Sequence, residues 1–137
     1  FFNDTATTEI YTLSLHDALP IYHGHPAEKL YEQVIRRSSE WAGPDQLMYV
    51  IGATHPELMK SIRKLVPDHF FLVPGVGAQG GSLEDISKAG MNAQCGLLVN
   101  SSRNIIYASS GKDFAEKARI EAEKMQKEMA ALLDSLL

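Results

Sequence analysis

The sequence predicts an α/β fold built around a parallel sheet. Three short apolar runs, typical of strands buried on both faces, occur at Leu47–Ala53, Phe70–Val73 and Gly96–Val99. Stretches with apolar residues at helical spacing precede, separate and follow these runs. The runs begin about 22 to 26 residues apart, which leaves room for a helix in each connection. Right-handed crossovers between parallel strands are the connections this spacing favours.

The first two predicted helices have recognisable starts. The first runs over residues 26–41 and begins at a proline, which suits a first helical turn. The second follows a capping box in which Thr54 is the cap and Glu57 reaches back, and it ends before Pro67. Its apolar positions are Leu58, Ile62 and Leu65, and those of the first helix are Leu30, Tyr31, Val34, Ile35 and Trp41.

Two further helices are predicted towards the C-terminus. Ser82 caps a helix that continues to about Ala89, with two acids in its first turn. The last helix starts within 110–113 and continues to the end of the chain, either as a covering helix of a barrel or as a coiled-coil arm. Its apolar positions are Ala118, Ala122, Met125, Met129, Leu132 and Leu136. Three strands are too few to close a barrel, but they fit the last portion, strands six to eight, of a (β/α)₈ barrel.

Composition and charge exclude several classes of protein. The chain has 137 residues, enough for one modest domain, and a formal net charge of -4. This charge gives no indication of nucleic-acid binding, and no basic helix indicates a membrane surface. No apolar run reaches the roughly 18 residues of a membrane-spanning helix. Cys95 is the single cysteine, so no internal disulfide forms, and a reducing compartment is the simplest interpretation.

The first 21 residues are predicted not to belong to the protein. From Asn3 to Ile21 they are identical to the translation of a common sequencing adapter, so we expect residues 1–21 to be an artefact and residues 22–137 to be authentic. A genuine disordered N-terminal arm is the alternative.

A glycine-rich loop follows the second apolar run. Gly75–Gly80 fits the pattern GxGxxG, which a dinucleotide-binding fold uses after its first strand. That fold also needs an acid about 20 residues further on, where this chain has Asn100. The second interpretation is a phosphate site at the mouth of a barrel, formed by loop amides together with Ser102 and Arg103 after the next run. The third is a tight turn beside a solvated arginine.

The residues around this loop resemble one enzyme family. VPGVGAQGG, followed about twenty residues later by GLLVNSSR, is similar to orotidine 5′-phosphate decarboxylase, and VIGATHPE and LYEQV resemble segments of its longer bacterial form. The resemblance implies a (β/α)₈ barrel that converts orotidine monophosphate to UMP without metal or organic cofactor. It also implies a cytoplasmic enzyme that forms homodimers and has no nucleic-acid or membrane partner.

The resemblance assigns binding roles to six positions. Gln79 matches the glutamine that bridges the phosphate and the pyrimidine when the loop closes, and Arg103 matches the arginine that binds phosphate. Ser102 offers a backbone N–H to the phosphate, and Pro74 and Gly75 lie against the base. Gly80 belongs to the mobile part of the loop, together with Gly77 and Ala78.

The catalytic residues of the family have no counterpart here. The family's chemistry uses a lysine and aspartates in the arrangement D-x-K-x-x-D, and this pattern occurs nowhere in the chain. No catalytic residue is therefore assigned, and we expect the 137-residue chain to be an inactive and poorly stable fragment. A non-catalytic phosphate- or nucleotide-binding α/β module is the alternative function.

Overall fold

The computed structural model describes residues 28–77 and 80–137. The chain divides into two compact units, residues 1–42 and 43–137. The predicted artefact at residues 1–21 and the predicted helix start at Pro26 lie outside the described residues. Within the described ranges, no helix is long and apolar enough to cross a membrane.

The first unit contains one described helix, α1, at Leu30–Ser39. Ile35 is buried, but Leu30 and Val34 are exposed, and Trp41 is 74% exposed beyond the end of the helix. The prediction that the helix continues to Trp41 is therefore wrong, and its apolar stripe is buried only at Ile35. The hydroxyls of its last two residues donate to backbone carbonyls one turn earlier, a pattern that competes with continued helix.

The second unit is built on a three-stranded parallel sheet with the order β1-β2-β3. The strands are β1 (Tyr49–Val50), β2 (Phe71–Pro74) and β3 (Leu97–Asn100). Helices α2 (Pro56–Leu65) and α3 (Leu83–Gly90) lie in the two crossovers, and α4 (Ser102–Ile106) and α5 (Phe114–Leu136) follow β3. The predicted α/β class, the parallel strands and the alternation of strand and helix are confirmed.

The central strand is the most deeply buried of the three, but Leu72 and Pro74 on its second face are only half-buried. Phe71 and Val73 of β2 are fully buried, whereas Val50 of β1 is 68% exposed and Leu98 of β3 is 47% exposed. The prediction that all three runs are buried on both faces is therefore wrong for β1 and β3, and for β2 it holds on one face only. These two strands are the edges of the sheet, and within the described part of the chain no further strand pairs with them.

Helix α2 begins one residue later than the capping box predicts. His55 occupies the cap position without a side-chain cap hydrogen bond, and Pro56 is the first helical residue. Glu57 is therefore the second helical residue rather than the third, too early to complete a capping box. Its carboxylate lies 3.2 Å from Nδ1 of His55 instead.

The predicted cap of α3 is confirmed. Oγ of Ser82 accepts a hydrogen bond from the backbone N–H of Asp85 at 3.2 Å. Helix α3 packs against α2, with Leu83 and Ile86 buried on its inner face. The core of the unit includes Met59 of α2, Ile86 of α3 and Phe71 of β2, all of which are fully buried.

Helix α5 packs against α3 and α4, as expected of a covering helix. Its cap residue Asp113 makes no side-chain cap bond; its carboxylate accepts from Oγ of Ser109 at 2.7 Å, and this hydrogen bond lowers the pKa of Asp113. The packed face is narrower than predicted, because Ala122 and Leu136 are exposed. The half-buried apolar residues of the predicted stripe are Ala118, Met125, Met129 and Leu132.

Candidate functional site

A cavity of about 120 Å³ lies at the carboxyl ends of β2 and β3. Parallel strands end at the same edge of a sheet, and here Pro74 is paired with Asn100 at the last position of the register. The loops that follow the two strands therefore meet. The residues that line the cavity are Pro74, Gly75, Val76, Asn100, Ser101, Ser102 and Arg103.

One side of the cavity is formed by the base of the glycine loop. Gly75, Gly77 and Gly80 have φ angles of 96°, 81° and 86°, in the left-handed region that glycine adopts without strain. The N–H of Gly77 donates to the carbonyl of Gly81 at 3.0 Å, and the N–H of Gly80 donates to the carbonyl of Gly77 at 2.8 Å. The loop thus folds back on itself directly after β2.

The other side is formed by the start of α4. Ser102 and Arg103 lie in its first turn, where backbone N–H groups have no acceptor within the helix. The hydroxyl of Ser102 donates to Oδ1 of Asn100 at 2.7 Å, so this side chain is already paired within the site. The guanidinium of Arg103 is exposed and makes no hydrogen bond or ion pair within residues 28–77 and 80–137.

The structure brings together four of the six predicted site residues. Pro74 and Gly75 line the cavity from β2, and Ser102 and Arg103 line it from α4. Gly80 belongs to the same loop but is not among the lining residues, and Gln79 lies outside the described residues. The binding roles assigned to all six stay predictions.

Three lining residues were not predicted from the sequence. They are Val76, Asn100 and Ser101. In the sequence, Asn100 marks only the position where a dinucleotide-binding acid is missing. A serine before a possible helical turn, as at Ser101, indicates a helix cap. No local sequence pattern indicates that Ser101 contacts the glycine loop 25 residues earlier.

The arrangement suits an anion rather than a metal ion. The N–H groups at the start of α4 and the guanidinium of Arg103 present hydrogen-bond donors, and an arginine can bind phosphate through two parallel hydrogen bonds. In the described part of the chain, no group of three or more His, Cys, Asp or Glu side chains could hold a metal ion.

The chain is similar to curated proteins named orotidine 5′-phosphate decarboxylase. The protein from Flavobacterium johnsoniae is 61% identical over 107 residues, which are 78% of this chain and 39% of that protein. The protein from Porphyromonas gingivalis is 59% identical over 106 residues, 77% of this chain and 38% of that protein. The chain therefore spans about two fifths of the length of the curated relatives it matches. No protein-family model matches it.

A solved structure agrees with these relatives. The structure described as Leishmania donovani OMP decarboxylase superposes with a TM-score of 0.63 at 31% sequence identity. The match covers 80% of this chain and 40% of that protein. The likeness therefore extends from the sequence to the backbone, over a similar share of the longer protein.

Proposed function

Because the matched part of this chain belongs to the orotidine 5′-phosphate decarboxylase family, we propose that residues 22–137 form the C-terminal part of such an enzyme. In this proposal the chain carries strands six to eight of the barrel, and its cavity holds the phosphate of orotidine monophosphate or UMP. The observation that supports it is the meeting of Pro74 and Gly75 with Ser102 and Arg103 at one cavity. The whole enzyme is proposed to be a cytoplasmic homodimer.

The proposed binding mode follows from the chemistry of the two loops. Arg103 pairs with the phosphate, the N–H of Ser102 donates to it, and Pro74 and Gly75 lie against the base. Gln79 joins the phosphate to the pyrimidine side as the loop closes. Phosphate lies far from the bond that breaks, but its binding energy can drive loop closure and exclude water from the reacting end.

The 137-residue chain is expected not to decarboxylate orotidine monophosphate. Loss of CO₂ leaves a carbanion, and the family's lysine supplies the proton that this carbanion takes up. The chain has no D-x-K-x-x-D arrangement, so no lysine is held between aspartates to do this. The measurement is UMP formation by chain purified from a host that lacks its own decarboxylase, and sustained turnover would refute the proposed inactivity.

Replacing Arg103 with alanine is expected to weaken UMP binding by the chain about tenfold. The expected loss is modest because an ion pair made by an exposed arginine contributes less binding free energy than one made by a buried arginine. The measurement is a titration with UMP followed by NMR. Lys60→Ala, which removes the same charge from an exposed position on α2, is the matched control and should leave the affinity unchanged. Equal UMP affinity in Arg103→Ala and in the wild type contradicts the proposed site.

Genomic DNA distinguishes this proposal from a non-catalytic phosphate-binding module. We expect the reading frame upstream of Tyr22 to continue and to encode D-x-K-x-x-D. A start codon close to Tyr22 would instead favour the module, and with it the retention of Gln79 and Arg103 for another phosphate ligand.

A further inference from the structure

We infer that Ser101 and Asn104 are positioning residues that hold the base of the glycine loop at a fixed place relative to the helical turn that carries Arg103. The inference rests on the proposed phosphate site and extends it to residues that do not themselves need to touch the phosphate. Both residues belong to the segment that starts α4, and both contact the loop at successive positions, Val76 and Gly77.

The first contact is a buried hydrogen bond. Oγ of Ser101 donates to the backbone carbonyl of Val76 at 2.9 Å, across 25 residues of sequence. Ser101 is 5% exposed and Val76 is 6% exposed, so water has little access to compete for this bond. The bond therefore joins the exit of β2 to the residue that immediately precedes α4.

This hydrogen bond constrains both the base of the glycine loop and the start of α4, which form the two sides of the site. The carbonyl of Val76 and the N–H of Gly77 belong to one planar peptide unit, so fixing the carbonyl also fixes the direction of that N–H. The same N–H donates to the carbonyl of Gly81 and closes the loop. On the other side, the two residues after Ser101 are Ser102 and Arg103. One hydroxyl thus sets the position of the loop base relative to the arginine.

The second contact is steric. A methyl group placed on Gly77 would lie 2.0 Å from Nδ2 of Asn104 and 3.0 Å from its Cγ. The amide of Asn104 therefore lies directly against the backbone of Gly77, where φ is 81°. Because Asn104 follows Arg103 on α4, it supports the loop from the same helical turn.

The two contacts also separate two cavities. A second cavity of about 270 Å³ is lined by Val76, Gly77, Ser101 and Asn104, among others. Val76 and Ser101 line both cavities, so their hydrogen bond belongs to the wall between them. Loss of this bond would let the loop base move away from α4 and open the proposed phosphate site on the side facing the second cavity.

The test measures the UMP affinity of the 137-residue wild type and of the variants Ser101→Ala, Ser101→Thr, Arg103→Ala and Ser101→Ala with Arg103→Ala. Ser101→Ala is expected to weaken binding about tenfold, and Ser101→Thr, which keeps a hydroxyl, should bind within about threefold of the wild type. The double variant should bind UMP no more weakly than Arg103→Ala alone, because both changes act on the same anion site and the second has nothing further to remove. A merely structural serine would instead give additive losses.

The outcomes separate this inference from the proposed function. Wild-type affinity in Ser101→Ala, or additive losses in the double variant, overturns the positioning role while leaving the phosphate site intact. Absence of UMP binding by the wild type overturns both. If Ser101→Ala does not fold, Asn104→Ala provides the test, because Asn104 is only half-buried. It should keep the thermal midpoint and bind UMP about threefold more weakly, and unchanged affinity overturns the inference.

Discussion

Replacing Arg63 with alanine is expected to lower the free energy of unfolding by roughly 3 kcal/mol, because it removes a charged donor shared by several backbone carbonyls and an aromatic ring. In α2, Nη1 of Arg63 donates to the carbonyl of His69 at 2.6 Å. Its Nε donates to the carbonyl of Gly90 at 2.7 Å, and its Nη2 to that of Gly96 at 3.0 Å. Further acceptors are the carbonyls of Val66 and Pro67.

The location of these acceptors explains the size of the effect. They belong to the end of α2, the loop into β2, the end of α3 and the residue before β3. Arg63 therefore joins both crossovers at the amino ends of the strands, opposite the candidate site. Its guanidinium carbon also lies 3.6 Å from the ring centre of the fully buried Phe71.

The environment of the guanidinium is partly desolvated. Burial lowers the pKa of Arg63 to about 10, while the negative charge of Asp68 opposes the shift. The side chain is therefore still cationic at neutral pH, and its hydrogen bonds to carbonyls are charge-assisted. A neutral replacement leaves these carbonyls with fewer donors in a region that water reaches incompletely.

Urea unfolding of the variants Arg63→Ala and Arg63→Lys measures this contribution. Lysine keeps the charge, but its single ammonium cannot reproduce a planar group with five donors, so Arg63→Lys should recover less than half of the loss. Lys64→Ala, at the neighbouring exposed position of the same helix, should change the free energy by less than about 0.5 kcal/mol. Equal effects of Arg63→Ala and Lys64→Ala would contradict the role of Arg63.

The sequence predicted the parts of the fold that depend on periodicity and order along the chain. The three apolar runs and their spacing specify parallel strands with helical crossovers, since a parallel connection needs about a dozen residues or more. The meeting of Gly75 with Arg103 could also be predicted, because both follow parallel strands and so lie at the same edge of the sheet. Only the order of the elements is needed for that inference.

Other features depend on distant backbone atoms and were not predictable. Arg63 reads as an ordinary charged residue on a helix, and nothing near it in sequence indicates carbonyls 27 and 33 residues away. Likewise, nothing near Ser101 in the sequence indicates that its hydroxyl donates to the carbonyl of Val76. Burial of Val50 and Leu98 was predicted wrongly because an apolar run specifies a strand but not whether a neighbouring element covers it.

Gly81→Ala is expected to destabilise the second unit by roughly 2 kcal/mol and to weaken UMP binding, because the surroundings of Gly81 leave no room for a methyl group. A Cβ placed on Gly81 would lie 2.4 Å from Cβ of Ala53 and 2.8 Å from the carbonyl oxygen of Gly75. Ala53 is 2% exposed, and both obstacles are backbone or Cβ atoms that cannot rotate away. The loop base must therefore shift away from the exit of β1.

Gly52→Ala is the matched control for this prediction. Gly52 is next to Ala53 on the chain, but a Cβ placed on it meets nothing within 4 Å. Its replacement should change the free energy of unfolding by less than about 0.5 kcal/mol and leave the affinity for UMP unaltered. Thermal unfolding and UMP titration of both variants separate the two positions. If Gly81→Ala behaved like Gly52→Ala, close packing against the exit of β1 would not determine the position of the glycine loop. Contacts with α4 alone would then hold the loop in place.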